Sequence, residues 1–382
     1  MGRLSRLTAP LVGVLVGGLF ALARRAGPDR AADACAWLAR HVGPRLREHR
    51  IGQAQLRAAF PDKDEAWIAA TLLGGWDNLG RVAGEYVHLG RLWDYDPDHP
   101  DAGRIVTDAG PALAEMSDDG KSALLFAAHL ANWELPAVAA AAHGLPAAVV
   151  YRMPNNRSVA TRIMAIRAGL MGRLIRSRRE AVFEMATALE HGEHLGMLVD
   201  QHWSRGVDIT FFGRACKANP TLARLARQFD CPVYGVRMIR LPGRRFRLST
   251  VGPLTLPRDT AGQVDVAGTT QLIATVVEGW VREHPEQWLW FHRRWRERNT
   301  AACREGAAAG QSASTRRQHP DRGQPFRQQR QQVRARQRHA ALGGREIRPG
   351  DVQENRRAGP AHHRRVVPAE HADHVVHLVA PP

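Results

Sequence analysis

An α/β domain behind an apolar N-terminal helix is the architecture this sequence predicts. Three observations carry the prediction. From about residue 100 to 298, short apolar runs alternate with stretches of helical periodicity, the pattern of a sheet covered by helices. Residues 8–23 form an uncharged apolar run. After Arg304 the chain loses core-forming periodicity and turns to Arg, Gln, His, Ala, Pro and Gly, with a single Phe and no Tyr, Trp, Met or Lys.

The apolar run opens the chain, with Arg3 and Arg6 before it and Arg24 and Arg25 after it. It is slightly short of the roughly 20 residues needed to span a bilayer. A cleaved signal peptide would place small residues where Arg24 and Arg25 stand, and a buried soluble helix is the other alternative, although most soluble helices keep a polar stripe and this run is apolar on every side. A membrane-anchoring helix within residues 1–30 fits better, although arginine at both ends orients it only weakly. Residues 31–98 then read as a helical membrane-proximal region. Residues 31–42 suit an amphipathic helix lying along the interface. Residues 53–92 read as helical, with Trp67, Ile68, Leu72, Leu73 and Trp76 recurring at three- and four-residue spacing. Residues 94–101, rich in Asp and Pro, break that pattern.

The α/β domain is expected over residues 99–300. Strands are predicted at 123–128, 147–151, 194–199, 208–212, 233–240 and 247–251, with Gly213 turning the fourth. Helices are predicted at 134–142, where Asn132 is a candidate cap, and at 158–171, 182–191, 221–229 and 271–284. The tail, 301–382, is expected to be disordered. Three readings of it compete: a solvated tail, a nucleic-acid-binding arm, and out-of-frame translation of GC-rich DNA. An intact reading frame around Thr300 would remove the third.

The net charge of +17 is uneven: the tail holds 15 Arg against 7 acidic residues, which leaves about half the excess on the body. A basic body suits an anionic membrane, substrate or carrier protein, or nucleic acid. The cysteines, Cys35, Cys216, Cys231 and Cys303, are scattered. They show neither a disulfide framework nor paired metal-ligand spacing, which fits free thiols in a reducing compartment. No metal and no cofactor are expected.

The chemistry concentrates where the first predicted strand ends. Ala123-Leu-Leu-Phe-Ala-Ala runs into His129, and Glu134 follows five residues later. An imidazole that takes a hydroxyl proton, supported by a carboxylate, is what acyl transfer to an alcohol requires. A strand end facing the next helix is where α/β folds place such groups. No Gly-x-Ser-x-Gly elbow frames a serine, so direct transfer without an acyl-enzyme is the expectation.

Further segments accompany this one: Tyr151-Arg152-Met153-Pro154-Asn155-Asn156, the arginine-rich stretch from Arg173 to Glu180, Leu198-Val199-Asp200-Gln201, Phe211-Phe212-Gly213 leading to Pro220-Thr221-Leu222, and the closing run from Pro285-Glu286-Gln287-Trp288 to His292-Arg293-Arg294-Trp295. The region Trp76-Asp-Asn-Leu-Gly-Arg fits with them. In this order and spacing the set resembles the bacterial lipid A biosynthesis acyltransferases, the late lauroyl and myristoyl transferases, which are relatives of the lysophospholipid acyltransferases. The resemblance covers roughly residues 5–300.

The resemblance implies a mixed-sheet, glycerolipid-acyltransferase-like fold behind a membrane helix, in the inner membrane with the catalytic domain on the cytoplasmic side. It implies transfer of a fatty acyl chain from acyl carrier protein to a hydroxyl of a lipid A precursor. On that reading His129 is the base and Glu134 orients it. Arg152, Arg176 and Arg179 are candidates for stabilising the oxyanion, and Asn156, Asp200, Gln201, His292 and Arg293 are further candidate binding residues. Other acceptors, a lysophospholipid or a phosphatidylinositol mannoside, are the nearest alternatives. A basic nucleic-acid-binding protein is the more distant one, and no nucleic acid is expected as a partner.

Overall fold

The computed structural model describes residues 16–100, 102–154, 157–178 and 180–295. The predicted tail and the first half of the N-terminal apolar run, residues 8–15, lie outside these residues. The second half is helical, in a helix over residues 16–26. Val16 and Phe20 are buried, while Leu19 and Leu22 are exposed. Among the described residues no helix is long and apolar enough to cross a membrane.

Helices α1 (Pro28–Val42), α2 (Arg47–Ala59) and α3 (Glu65–Glu85) follow, then a single helical turn at Leu89–Leu92. The one helix expected over 53–92 is thus broken. Pro61 disfavours a helical Phe60, and Asp64 starts α3 by accepting the Trp67 N–H at 2.8 Å. Helices α1 and α3 pack with their backbones close together. A Cβ at Gly84 would lie 2.4 Å from the Ala31 carbonyl oxygen, and one at Gly80 would lie 2.5 Å from that of Cys35.

The sheet strands are β1 (Ile105–Thr107), β2 (Leu124–Ala127), β3 (Ala147–Tyr151), β4 (Arg173–Arg176) and β5 (His194–Leu198). A separate antiparallel hairpin is formed by β6 (Val207–Phe211) and β7 (Arg214–Ala218). The sheet is completed by β8 (Val233–Leu241) and β9 (Arg245–Val251). Its order is β1-β9-β8-β2-β5-β3-β4. Only β8 and β9 pair antiparallel, so the sheet is mixed but mostly parallel. Strand β4 lies in the arginine-rich stretch, where no strand was expected: Leu174 and Ile175 pair with Val149 and Val150 at the sheet edge.

Helices cover both faces. On one lie α7 (Ala181–Glu190), α8 (Thr221–Phe229) and α9 (Val266–Glu283), whose Trp280 stacks on Phe126 of β2 at 5.6 Å. On the other lie α4 (Gly110–Asp118), α5 (Leu135–Ala142) and α6 (Arg157–Ala168). Strand β2 is central and buries Leu124 and Phe126 completely. Its carboxyl end is therefore held rigidly, which matters because the histidine follows it. Helix α5 begins after Glu134. Asn132, the expected cap, stands just before it: its side-chain oxygen accepts the Glu134 N–H at 3.3 Å, and its amide donates to Glu85 at 2.9 Å.

Gly84→Ala is expected to force α1 and α3 apart and cost about 1–3 kcal/mol. A thermal melt that leaves Tm unchanged would show that the two helices have room to separate.

Candidate active site

Strands β2 and β5 pair in parallel, Leu124 opposite Leu195 through Ala127 opposite Leu198. The ladder continues past the strand ends, where Val199 N–H donates to the Ala127 carbonyl at 3.0 Å. The same register carries His129 to a position opposite Asp200, 71 residues away in sequence. Asp200 Oδ1 accepts from His129 Nδ1 at 2.7 Å, and Oδ2 accepts the His129 backbone N–H at 2.8 Å. Trp288 Nε1 donates to the same Oδ2 at 2.8 Å.

Asp200 is buried. Burial alone pushes its carboxyl up, but the adjacent His129 and the hydrogen bonds from His129 and Trp288 outweigh it and bring the pKa to about 2. The carboxylate is charged at neutral pH and accepts the proton on Nδ1, so the lone pair of His129 sits on Nε2. The amide nitrogen of Gln201 lies 3.3 Å from Nε2 and donates to that lone pair. The imidazole is 14% exposed, enough for an acceptor hydroxyl to displace the exposed Gln201 side chain.

The turn after His129 is strained and tightly held. Ala131 adopts φ +47°, where a Cβ is unfavourable. Leu130 pairs with Trp288 across an isolated bridge. Ala131 N–H donates to Gln287 at 3.0 Å, and Leu289 N–H donates to His129 at 3.1 Å. From α3, the Asn78 amide donates to the carbonyls of Ala131 (3.2 Å) and Gln287 (3.0 Å). Arg240 of β8 reaches Asn78 at 3.2 Å and Glu85 at 2.5 and 3.0 Å. Asn78, Glu85 and Arg240 were not identified from the sequence. Asn78 did lie within the Trp76-Asp-Asn-Leu-Gly-Arg motif, so a signal existed without a role attached.

Glu134 does not occupy the orienting position expected of it. It pairs with Arg167 of α6 at 2.5 and 2.9 Å, and both side chains are largely buried. The Arg167 guanidinium lies 5.9 Å from the ring centres of both Tyr86 and Tyr151. Burial lowers the Arg167 pKa, but the Glu134 charge more than offsets that and raises it. The five-residue spacing to His129 is thus a product of the turn, and the imidazole takes its carboxylate from the neighbouring strand. No sequence signal distinguished Arg167 from the other arginines of its helix.

The remaining candidates are spread along the same edge of the sheet. His292 is half-buried, its ring centre 6.3 Å from that of His129. Burial, and then the charges of His129 and Arg152, push its pKa down to about 4. Arg152 follows β3 and Arg176 ends β4; both are exposed, as is Arg293. Asn156 and Arg179 lie outside the described residues. Trp133, not singled out before, places its ring 5.4 Å from His129. Among the described residues no group of three His, Cys, Asp or Glu side chains is placed to hold a metal ion.

The model of the bacterial lipid A biosynthesis acyltransferase family matches residues 4–297. The chain belongs to that family. No curated protein matches it. A crevice of about 20 Å³ lies under Asp200, lined by Val199, Phe211, Leu222, Ala223, Ile273 and Val277, with the buried Arg294 at its wall. Arg294 donates to the Lys217 carbonyl at 2.8 Å. Burial raises the pKa of Cys35 and Cys216 and pushes that of the half-buried Cys231 up to about 11, so none of the described thiols is poised as a thiolate.

Two stability measurements follow from the acyltransferase's geometry. Asp200 titrates lower in the folded chain than in the unfolded one, so it stabilises the fold above about pH 4. That contribution, about 2 kcal/mol, disappears as the pH falls toward 2. Asp200→Asn is expected to flatten this part of the pH–stability curve relative to wild type; an unchanged slope would contradict the assignment. Glu134→Gln leaves a buried guanidinium uncompensated, and a loss of about 3–5 kcal/mol is expected. A denaturant titration showing less than about 1 kcal/mol would mean that the pair is effectively solvated.

Proposed function

We propose that the protein transfers a fatty acyl chain from acyl carrier protein to a hydroxyl of a lipid A precursor. The observation that carries this reading is the His129–Asp200 dyad within a chain of this family. An alcohol is a weak nucleophile at neutral pH. His129 Nε2 takes its proton as it attacks the thioester carbonyl, a contribution of about 10²–10⁴-fold for a well-placed base. Asp200 holds the ring in the tautomer that leaves Nε2 free and stabilises the imidazolium as it forms. Glu134, with Arg167, keeps the turn in place.

Each methylene of the acyl chain that the protein buries contributes about 0.8 kcal/mol. Arg152, Arg176 and Arg293, exposed along one edge, suit the phosphates of the acceptor and the acidic surface of the carrier. The N-terminal region supports work at a membrane. Leu19, Leu22, Trp37, Leu38, Val42 and Leu46 are all exposed there, interleaved with Arg24, Arg25, Arg30, Arg45 and Arg47. Apolar side chains among arginines match an anionic bilayer surface, the cytoplasmic face of the inner membrane on this reading.

Membranes carrying the protein are expected to add one acyl chain to a tetra-acylated lipid A precursor when given acyl carrier protein loaded with chains of different length. Mass spectrometry of the lipid reads the gain. His129→Ala should abolish it, and Asp200→Asn should lower the rate by about 10³–10⁴-fold. Transfer that survives His129→Ala undiminished would remove the mechanism. A folded wild-type protein that transfers nothing to this precursor would remove the acceptor.

A further inference from the structure

His292 stands beside the dyad with no part in it. Its ring is tilted 48° to that of His129, with the two ring centres 6.3 Å apart. Its position is fixed from behind. Gln55 of α2 donates to the carbonyls of Trp290 (2.7 Å) and His292 and accepts from the Arg294 backbone N–H. Trp288, four residues earlier, is tied to Asp200. Among the described residues, neither ring nitrogen of His292 hydrogen-bonds to a protein atom. The backbone at His292 is thus held firmly, and the ring keeps its polar atoms unspent 6.3 Å, centre to centre, from that of His129.

The geometry of attack says what that is. The acceptor oxygen lies about 3 Å from His129 Nε2. The carbonyl carbon that it attacks lies about 3–3.5 Å further on. The carbonyl oxygen therefore comes within reach of a group roughly one ring away from His129, which is where His292 stands.

We propose that His292 is a catalytic residue whose neutral ring N–H donates a hydrogen bond to the oxyanion of the tetrahedral intermediate. The assignment rests on the acyl transfer proposed above. In that step the acceptor oxygen forms the new C–O bond and its proton passes to His129 Nε2. The carbonyl electron pair moves onto oxygen, where His292 stabilises it. On collapse the C–S bond breaks, and the proton on His129 goes to the departing thiolate. The surroundings divide the work between the two rings. His129 has a carboxylate partner, which fixes its tautomer and stabilises the imidazolium as it forms. His292 has no carboxylate hydrogen-bonded to it; burial, with the charges of His129 and Arg152 outweighing the opposing pull of Asp200, keeps it uncharged at neutral pH. A neutral imidazole can still donate, and a donor in place before reaction needs no reorganisation.

The test compares His292→Phe, which keeps the ring shape and removes the donor, with His292→Gln, which restores an amide N–H. Both are assayed for transfer from loaded acyl carrier protein to the lipid A precursor, and for hydrolysis of the same thioester by water. The Phe variant is expected to lose about 10²–10³-fold in kcat with KM little changed, and Gln to recover at least tenfold of it. His292→Met, flexible and donor-free, carries the same expectation should the Phe variant fail to melt cooperatively. A kcat within about threefold of wild type would overturn the proposal. So would a loss confined to KM, which would make His292 a ground-state binding residue. Hydrolysis separates the two readings, because it passes through the same oxyanion without the lipid. If wild type hydrolyses the thioester in a His129-dependent way but does not acylate this lipid, the acceptor reading fails while the His292 effect remains measurable.

Discussion

One carboxylate organises this site. Asp200 accepts three N–H groups at 2.7–2.8 Å: the ring and the backbone of His129, and the indole of Trp288. A buried charge is tolerated only when its hydrogen-bonding capacity is met. Each of those donors is therefore fixed by the cost of leaving Asp200 unsatisfied. The carboxylate joins the ends of two parallel strands to the segment that closes the domain, and it sets the tautomer of the base as a consequence.

The closing segment and the helical region support the same arrangement from the far side. The turn at Ala131 is strained, and a strained turn persists only where its surroundings over-determine it. Here Asn78 bridges it to Gln287, while Glu85 and Arg240 clamp Asn132 and Asn78. Helix α3 meets α1 through glycines, and its Asn78 and Glu85 reach the turn and Arg240 of the sheet. The helical region is therefore part of the scaffold of the active site as well as a cover for the sheet.

Much of this was legible in the sequence. Apolar runs marked the central strands because those strands are covered on both faces, and His129 stood out because such a run stops there. What was not legible depends on pairing between strands. The register of β2 against β5 joins residues 71 positions apart, and no local spacing reports it. Glu134, close in sequence, drew the orienting role, whereas Asp200 holds the ring and Glu134 is paired to Arg167. Strand β4 was hidden for a similar reason: at the sheet edge its arginines stay exposed while Ile175 alone is fully buried. The break between α2 and α3, by contrast, was written in Pro61 and Asp64 and is a local feature that periodicity alone passes over.

The central claim is that Asp200, across the strand register, sets the state of His129. Nitrogen-15 NMR of histidine-labelled protein at neutral pH tests it directly, by reporting which ring nitrogen carries the proton. The account expects His129 to be protonated at Nδ1 in wild type, to lose that fixed tautomer in Asp200→Asn, and to keep it in Glu134→Gln. A ring that keeps its tautomer without Asp200 and loses it without Glu134 would contradict the account and return the orienting role to Glu134.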